Sequence, residues 1–195
     1  LIARTPVRIM SRRSLNDYQK KRPISRWLER VLHHTTHRVL GNSLAVVDQL
    51  RGEGLPAGKI DLIYNGIEVG LLAAKRARAE VRSALGIEAD TLVFIMVANL
   101  IHYKGHSDAL RAFALARSGL KQRWVFLVVG RDDGIGHALR EESENLGLGR
   151  HVLWVGMRHD VADLLFASDV GMLCSHQEGF SNAILEAMGA GLPVV

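Results

Sequence analysis

Apolar positions along the chain follow two alternating periods. In the second half, short near-continuous apolar runs alternate with segments that repeat every three or four residues. TLVFIMVANL (91–100), RWVFLVVG (123–130), HVLWVG (151–156) and VGMLCS (170–175) are the runs, and LPVV (192–195) opens another. Between them GHSDALRAFALARS, GHALREESENLG, DVADLLFAS and SNAILEAMGAG carry the helical period. Runs too apolar for a half-exposed strand, separated by amphipathic helices, predict a parallel sheet covered on both faces. The fold class expected is therefore α/β, a Rossmann-like doubly wound parallel sheet.

The first half is less regular. PVRIMS, RVLGNS and KIDLIYNG read as short strands, the last stopped by the Asn65-Gly66 turn pair. ISRWLERVLHHTTH reads as a helix, with Trp27, Leu28, Val31 and Leu32 at helical spacing, and LAVVDQLRGEG as a helix closed by glycine. Asn42-Ser43 stands where a helix cap is wanted. Residues 67–91, charged and Ala-rich, also read as helical, and the composition shift there suggests a domain boundary. The division expected is 1–65, the tail of one Rossmann-like domain; 66–90, a linker and first helix; and 91–195, a second domain.

Composition adds bounds. The chain has 195 residues, 48% of them hydrophobic, and a net charge of +5. No apolar run approaches the roughly 20 residues needed to span a bilayer, and the opening residues lack a leader pattern. A cytoplasmic protein is expected, consistent with the lone Cys174, which reads best as a small buried hydrophobe at a strand end. The first forty residues hold most of the basic excess, including Arg8, Arg12, Arg13, Lys20, Lys21 and Arg22. That block is expected either as a solvated helix face or as a surface toward acceptor or anionic membrane, a peripheral contact; no zinc-finger spacing or aromatic strand motif supports nucleic acid. The histidines show no metal spacing beyond His33 and His37, better read as a solvated helix face, so no metal is expected. With no initial methionine and a stop in the middle of a strand pattern, the sequence is expected to be a fragment.

Ligands of doubly wound sheets bind at the carboxyl ends of the strands. The loops there are NLIHYKG, GRDDGIG, GMRHD and SHQEGFSN. In the last, Glu178 and Glu186 flank a turn leading into a helix. With Ser181 as cap, the free N–H groups of Asn182, Ala183 and Ile184 suit a phosphate. Gly179 permits close backbone approach. Glu186, five residues past the cap, lies ~7 Å along the axis, and a carboxylate can accept from vicinal hydroxyls. A phosphate with hydroxyl-rich groups at both ends describes a nucleotide-sugar. The alternative is a loop charge at Glu178 and a solvated helix residue at Glu186. GRDDGIG lacks the G-x-G-x-x-G spacing and reads as a strand-to-helix turn.

HQEGFSNAILEAMGAGLPVV resembles the Glu-x7-Glu signature of the retaining GT-B glycosyltransferases of family four. Weaker likenesses in DVADLLFASDVGMLCS, VANLIHYKGHSDALRAF and VLGNSLAVVDQL…KIDLIYNGIE extend the similarity over about residues 38–195. The resemblance implies that Glu178 contacts the donor sugar. Backbone amides around Gly179, Phe180, Ser181 and Asn182 would hold the sugar and diphosphate, and Glu186 the ribose hydroxyls. Lys104 would neutralise the leaving diphosphate, and Arg158 is a candidate to cover the base. Many members place an arginine where this chain has Asn99, so either Lys104 acts with the helix dipole alone or another base such as His102 or Arg131 helps. Asn99 itself is a candidate donor ligand. The expected activity is metal-independent retaining hexosyl transfer from a nucleotide-diphosphate sugar, a substrate rather than a cofactor, to a glycan or lipid-linked acceptor in polysaccharide biosynthesis, with the fragment inactive alone. A sugar-nucleotide epimerase of the same fold and a non-catalytic nucleotide-sugar-binding subunit are the alternatives.

Overall fold

The computed structural model describes residues 5–15 and 23–195. The chain divides into two compact units, residues 1–66 with 177–181 and residues 67–176 with 182–195.

The first unit is a three-stranded parallel sheet in the order β1 (Ile9–Arg12), β2 (Arg38–Gly41), β3 (Ile60–Leu62). Helix α1 (Pro23–Thr35) joins the first pair and α2 (Leu44–Gly52) the second. Ser43 caps α2, its hydroxyl accepting from the Val46 amide at 3.2 Å. Val39, Val46, Leu50 and Leu55 form the core, with Met10, Leu15 and Ile60 packed against it. The apolar stripe that predicted α1 does not bury: Trp27 is 63% exposed, and Leu28, Val31 and Leu32 are exposed too. Its inner positions are polar instead. Arg12, 4% exposed, donates to Glu53 at 2.8 Å and to Glu29 at 2.5 Å. Burial opposes its charge, and the two carboxylates more than restore it. Arg12 is thus not part of a surface block, because a charge turned inward by the strand must be paired. Lys20, Lys21 and Arg22 lie outside the described residues. His33 is buried, not solvated, and burial lowers its pKa. His37 lies beyond α1, and its Nδ1 accepts from the Arg8 amide.

The second unit is a four-stranded parallel sheet in the order β6-β5-β4-β7. Its strands are β4 (Leu92–Val97), β5 (Trp124–Val129), β6 (Val152–Gly156) and β7 (Val170–Gly171). Side chains alternate across it. Met96, Phe126 and Val128 point to one face, where α4 (His106–Ala116) and α5 (Gly136–Asn145) supply Leu110, Phe113 and Leu139. Val93, Ile95, Leu127 and Val129 point to the other. There α3 (Arg78–Ala84), α6 (Val161–Phe166) and α7 (Asn182–Gly189) supply Val81, Leu164, Leu165 and Ala187. Burying each large aliphatic side chain contributes roughly 1.5–3 kcal/mol, so two filled faces hold the sheet rigid. The run 170–175 shortens to two paired residues, and Gly171 also bridges to Val194.

Residues 67–91 correct the helical expectation. Only Arg78–Ala84 is α-helix; before it come a 3-10 turn at Val69–Leu72 and an extended arm. The arm's amides at Lys75 and Arg76 donate to the buried Asp163 carboxylate, at 2.6 and 3.3 Å. Those N–H groups are taken from any helical ladder, which local propensity could not foresee. Asp163 sits below the ordinary carboxylate range, first through its bond with Arg76 and then through the Lys75 amide.

Candidate active site

All four strands of the second unit are parallel, so the loops after them share its carboxyl edge, as does the start of α7. The loop after β4 carries two candidates. Asn99 lies two residues past the strand, and Lys104 ends a 3-10 turn, His102–Lys104. Gly105 follows with φ +74°, and a Cβ there would lie 1.9 Å from the Cys174 carbonyl. Only glycine allows that turn, which places Lys104 in the connection between β4 and α4. His106, buried at the start of α4, makes no hydrogen bond of normal geometry through either ring nitrogen among the described residues. Burial pushes its pKa down to about 4, the neighbouring Lys104 charge acting in the same sense and the Ala98 carbonyl against it. The Lys104 ammonium lies 5.4 Å from the Tyr103 ring centroid.

The loop after β5 runs beside this one. Leu100 donates to the Arg131 carbonyl at 2.8 Å, and Leu100 bridges with Asp132. Asp132 Oδ1 accepts from the Gly134 and Gly136 amides at 2.9 Å each, which holds its pKa down. The carboxylate thus fills the place a phosphate would need, and GRDDGIG is a strand-to-helix turn. The loops after β4 and β7 are also joined: His176 donates its amide to the Tyr103 carbonyl at 2.8 Å, and its ring meets Asp108 at 2.5 Å.

After β6, Arg158 folds back on its own loop and pairs bidentately with Asp160 at 2.8 and 2.7 Å. Arg76 shares that carboxylate. Arg158, Met157, His159 and Lys75 line a groove of about 820 Å³ between this loop and the extended arm. Arg158 is thereby a fixed wall of the groove rather than an unattached cation.

Helix α7 begins at Asn182, so Ser181 occupies the cap position. Glu186, half-buried within the apolar helix, has its pKa raised by burial. Among the described residues its carboxylate makes no hydrogen bond or ion pair. That separates it from a solvated helix residue, which burial would not perturb.

The preceding residues belong to the first unit. Gln177 donates to the Leu15 carbonyl at 3.0 Å. A Cβ at Gly179 would come within 2.7 Å of the Arg13 carbonyl, so the close approach expected there is made first by the chain's own backbone. Phe180 packs on Tyr64 with centroids 5.6 Å apart. Glu178 is half-buried between these anchors. Glu178, Gly179, Phe180 and Ser181 therefore group with one unit, and Asn182, Glu186, Lys104, Asn99 and Arg158 with the other. Sequence reading passed over His106, Asp133, His176 and Asp108. Position directly after a strand end or at a helix start was the available signal.

A doubly wound parallel sheet with these strand-end loops is the GT-B type of glycosyltransferase fold. The structure superposes on HepE of Anabaena in complex with UDP-glucose with a TM-score of 0.85 at 26% identity, covering 99% of this chain and 53% of that one. Residues 77–195 match the family of glycosyl transferases group 1, and the chain belongs to that family. It is 31% identical over 139 residues to an Escherichia coli UDP-Gal:alpha-D-GlcNAc-diphosphoundecaprenol alpha-1,3-galactosyltransferase, covering 70% of this chain and 36% of that protein. It is likewise 31% identical over 170 residues to the D-inositol 3-phosphate glycosyltransferase of Actinosynnema mirum, covering 81% and 40%. The chain thus spans well under half the length of these two curated relatives. No helix among the described residues is long and apolar enough to cross a membrane. No group of three or more metal-ligating side chains occurs among them.

Proposed function

We propose that the intact protein transfers a hexose, with retention, from a nucleotide-diphosphate sugar to a hydroxyl of a glycan or lipid-linked acceptor. The observation that carries this reading is Glu186: a half-buried carboxylate in an apolar helix, its pKa raised by burial, with no ion pair among the described residues. Such a group is suited to accept from the vicinal hydroxyls of a ribose. The named ligands of similar proteins, UDP and UDP-glucose in HepE, agree with a donor of this kind.

In this reading the acceptor oxygen bonds to the anomeric carbon as the bond from that carbon to the diphosphate oxygen breaks. The acceptor proton passes to the departing diphosphate, and both events occur on one face of the sugar. Lys104 and the α7 N-terminus stabilise the charge that develops on the diphosphate, with no metal required. Glu178 positions the sugar, the amides near Gly179, Phe180, Ser181 and Asn182 hold the phosphates, and the main chain at Met157 and Arg158 faces the base. These 195 residues are inactive alone, since acceptor recognition needs the rest of the protein. The exposed Arg13 contributes to an acceptor-facing or anionic-membrane surface.

The test is a screen of nucleotide-sugars against the intact protein with candidate acceptors. Release of nucleoside diphosphate that depends on an acceptor is expected. Conversion of the donor to an epimer without acceptor would replace this reading with the isomerase. Full biological activity in Lys104→Ala and Glu178→Ala would replace it with a binding subunit.

A further inference from the structure

Asn99 has neighbours that give its departure from the family pattern a chemical sense. Its side-chain amide faces the loop after β5 with both ends engaged. Asn99 Oδ1 accepts from the Arg131 amide at 3.3 Å, and Asn99 Nδ2 donates to Asp133 Oδ2 at 3.2 Å. Asp133 in turn receives Arg131 Nε at 2.6 Å and Arg131 Nη2 at 3.3 Å. The guanidinium is held edge-on through Nε and Nη2, which leaves Nη1 turned away from the carboxylate. The Arg131 side chain is 62% exposed. The hydrogen bond from Leu100 to the Arg131 carbonyl carries the β4–β5 pairing past the strand ends, placing Arg131 alongside the Lys104 loop. A Cβ at Gly130 would lie 2.0 Å from the Ala98 carbonyl, so the backbones after the two strands are in close contact.

We propose that Arg131 supplies the second cationic contact to the leaving diphosphate, displaced by one strand from position 99, and that Asn99 and Asp133 are its positioning residues. An arginine at 99 would bring no neutral amide to bridge Arg131 and Asp133. The asparagine does, and the cation moves to the adjacent strand end. Asp133 offsets part of the guanidinium charge when the site is empty. A diphosphate with its greater negative charge competes for the same donors. His102 is exposed, and none of its side-chain atoms is tied to this network among the described residues.

The inference rests on the reading of the strand-end loops as the donor diphosphate site, and the experiment separates the two. In the intact enzyme, Arg131→Ala should lower kcat about 10- to 100-fold and weaken nucleoside diphosphate binding about tenfold, with UDP and then GDP and ADP as calorimetric probes. Arg131→Lys should retain part of both. The decisive variant is Arg131→Ala combined with Asn99→Arg, which returns a cation to position 99 and should recover at least tenfold of the lost kcat. A merely structural role for Arg131 predicts no recovery, since Asn99→Arg also removes the bridge to Asp133. Thermal melting of each variant identifies loss through misfolding. If Arg131→Ala folds poorly, Arg131→Gln and the rescue variant decide the matter. Activity of Arg131→Ala within twofold of wild type, with Lys104→Ala losing over 100-fold, overturns this inference alone. Wild-type activity in both variants overturns the donor-site reading as well.

Discussion

The Arg82 guanidinium meets the Asp169 carboxylate at 2.8 Å with only 4% of the arginine side chain exposed. The same guanidinium donates to the Ala167, Ala89 and Thr91 carbonyls, and Asp169 Oδ2 also accepts from the Val93 amide. One ion pair thus locks α3 to the segment after α6 and to the start of β4. Arg82→Met is expected to destabilise the protein by about 2–4 kcal/mol, because four carbonyls, those of Ala167, Glu88, Ala89 and Thr91, lose a donor and Asp169 keeps only Arg78 and the Val93 amide. Urea unfolding of the intact protein measures this; a loss under 1 kcal/mol would mean water replaces the guanidinium.

Glu186 should show a trade between stability and binding. Its folded pKa is raised, so the folded state holds the proton more tightly than the unfolded chain. Stability therefore falls as pH rises through the unfolded value into the raised folded one, and stays lower above it. Glu186→Gln is expected to melt at or above the wild-type temperature at pH 7, with the difference gone near pH 4. It should also weaken nucleoside diphosphate affinity about tenfold, for loss of an acceptor to hydroxyls. Melting curves and titration calorimetry check the two halves separately.

At Gly105 any side chain meets the Cys174 carbonyl, and the φ of +74° is strained for L residues besides. Gly105→Ala should cost about 2–4 kcal/mol and lower kcat more than Lys104→Arg does, by moving the whole Lys104 turn. Equal activity in Gly105→Ala and wild type would show that the turn is not needed in this form.

His106 is expected to make the fold acid-sensitive. Its folded pKa of about 4 lies below the ordinary 6.5, so its contribution is full above pH 6.5 and lost as pH falls toward 4. His106→Leu is expected to flatten that part of the stability profile, by roughly 2–4 kcal/mol between pH 7 and 4. Denaturation midpoints across that range would show an unchanged slope if other groups cause it.

The helices and strands of the second unit were legible because its burial pattern is complete within the sequence. Each strand of the β4–β6 set is apolar on both faces, and each helix has one apolar stripe to cover it. The first unit was harder. The stripe Trp27, Leu28, Val31 and Leu32 has the helical period yet stays exposed, while Arg12, Glu29 and His33 turn inward. Periodicity reveals a helix and is silent on which face meets the sheet. Residues 67–77 misled for a related reason, since the Asp163 carboxylate that holds their amides comes from 87 residues away.

The site divides the same way. Glycine, serine and glutamate types in EGFSNAILE, and a lysine before the Gly105 turn, were readable locally because capping, charge and backbone freedom depend on a few neighbouring residues. The partners of Asn99 were not, because they sit on another strand, 32 and 34 residues on. By itself the sequence determined the α/β alternation, the parallel sheet and the candidate phosphate cradle, all consequences of short-range pattern. Only the tertiary structure decided which charges are buried in pairs, what Gly179 makes room for, and which cation stands beside Asn99. Those follow from strand order and register, which bring distant residues within hydrogen-bond reach.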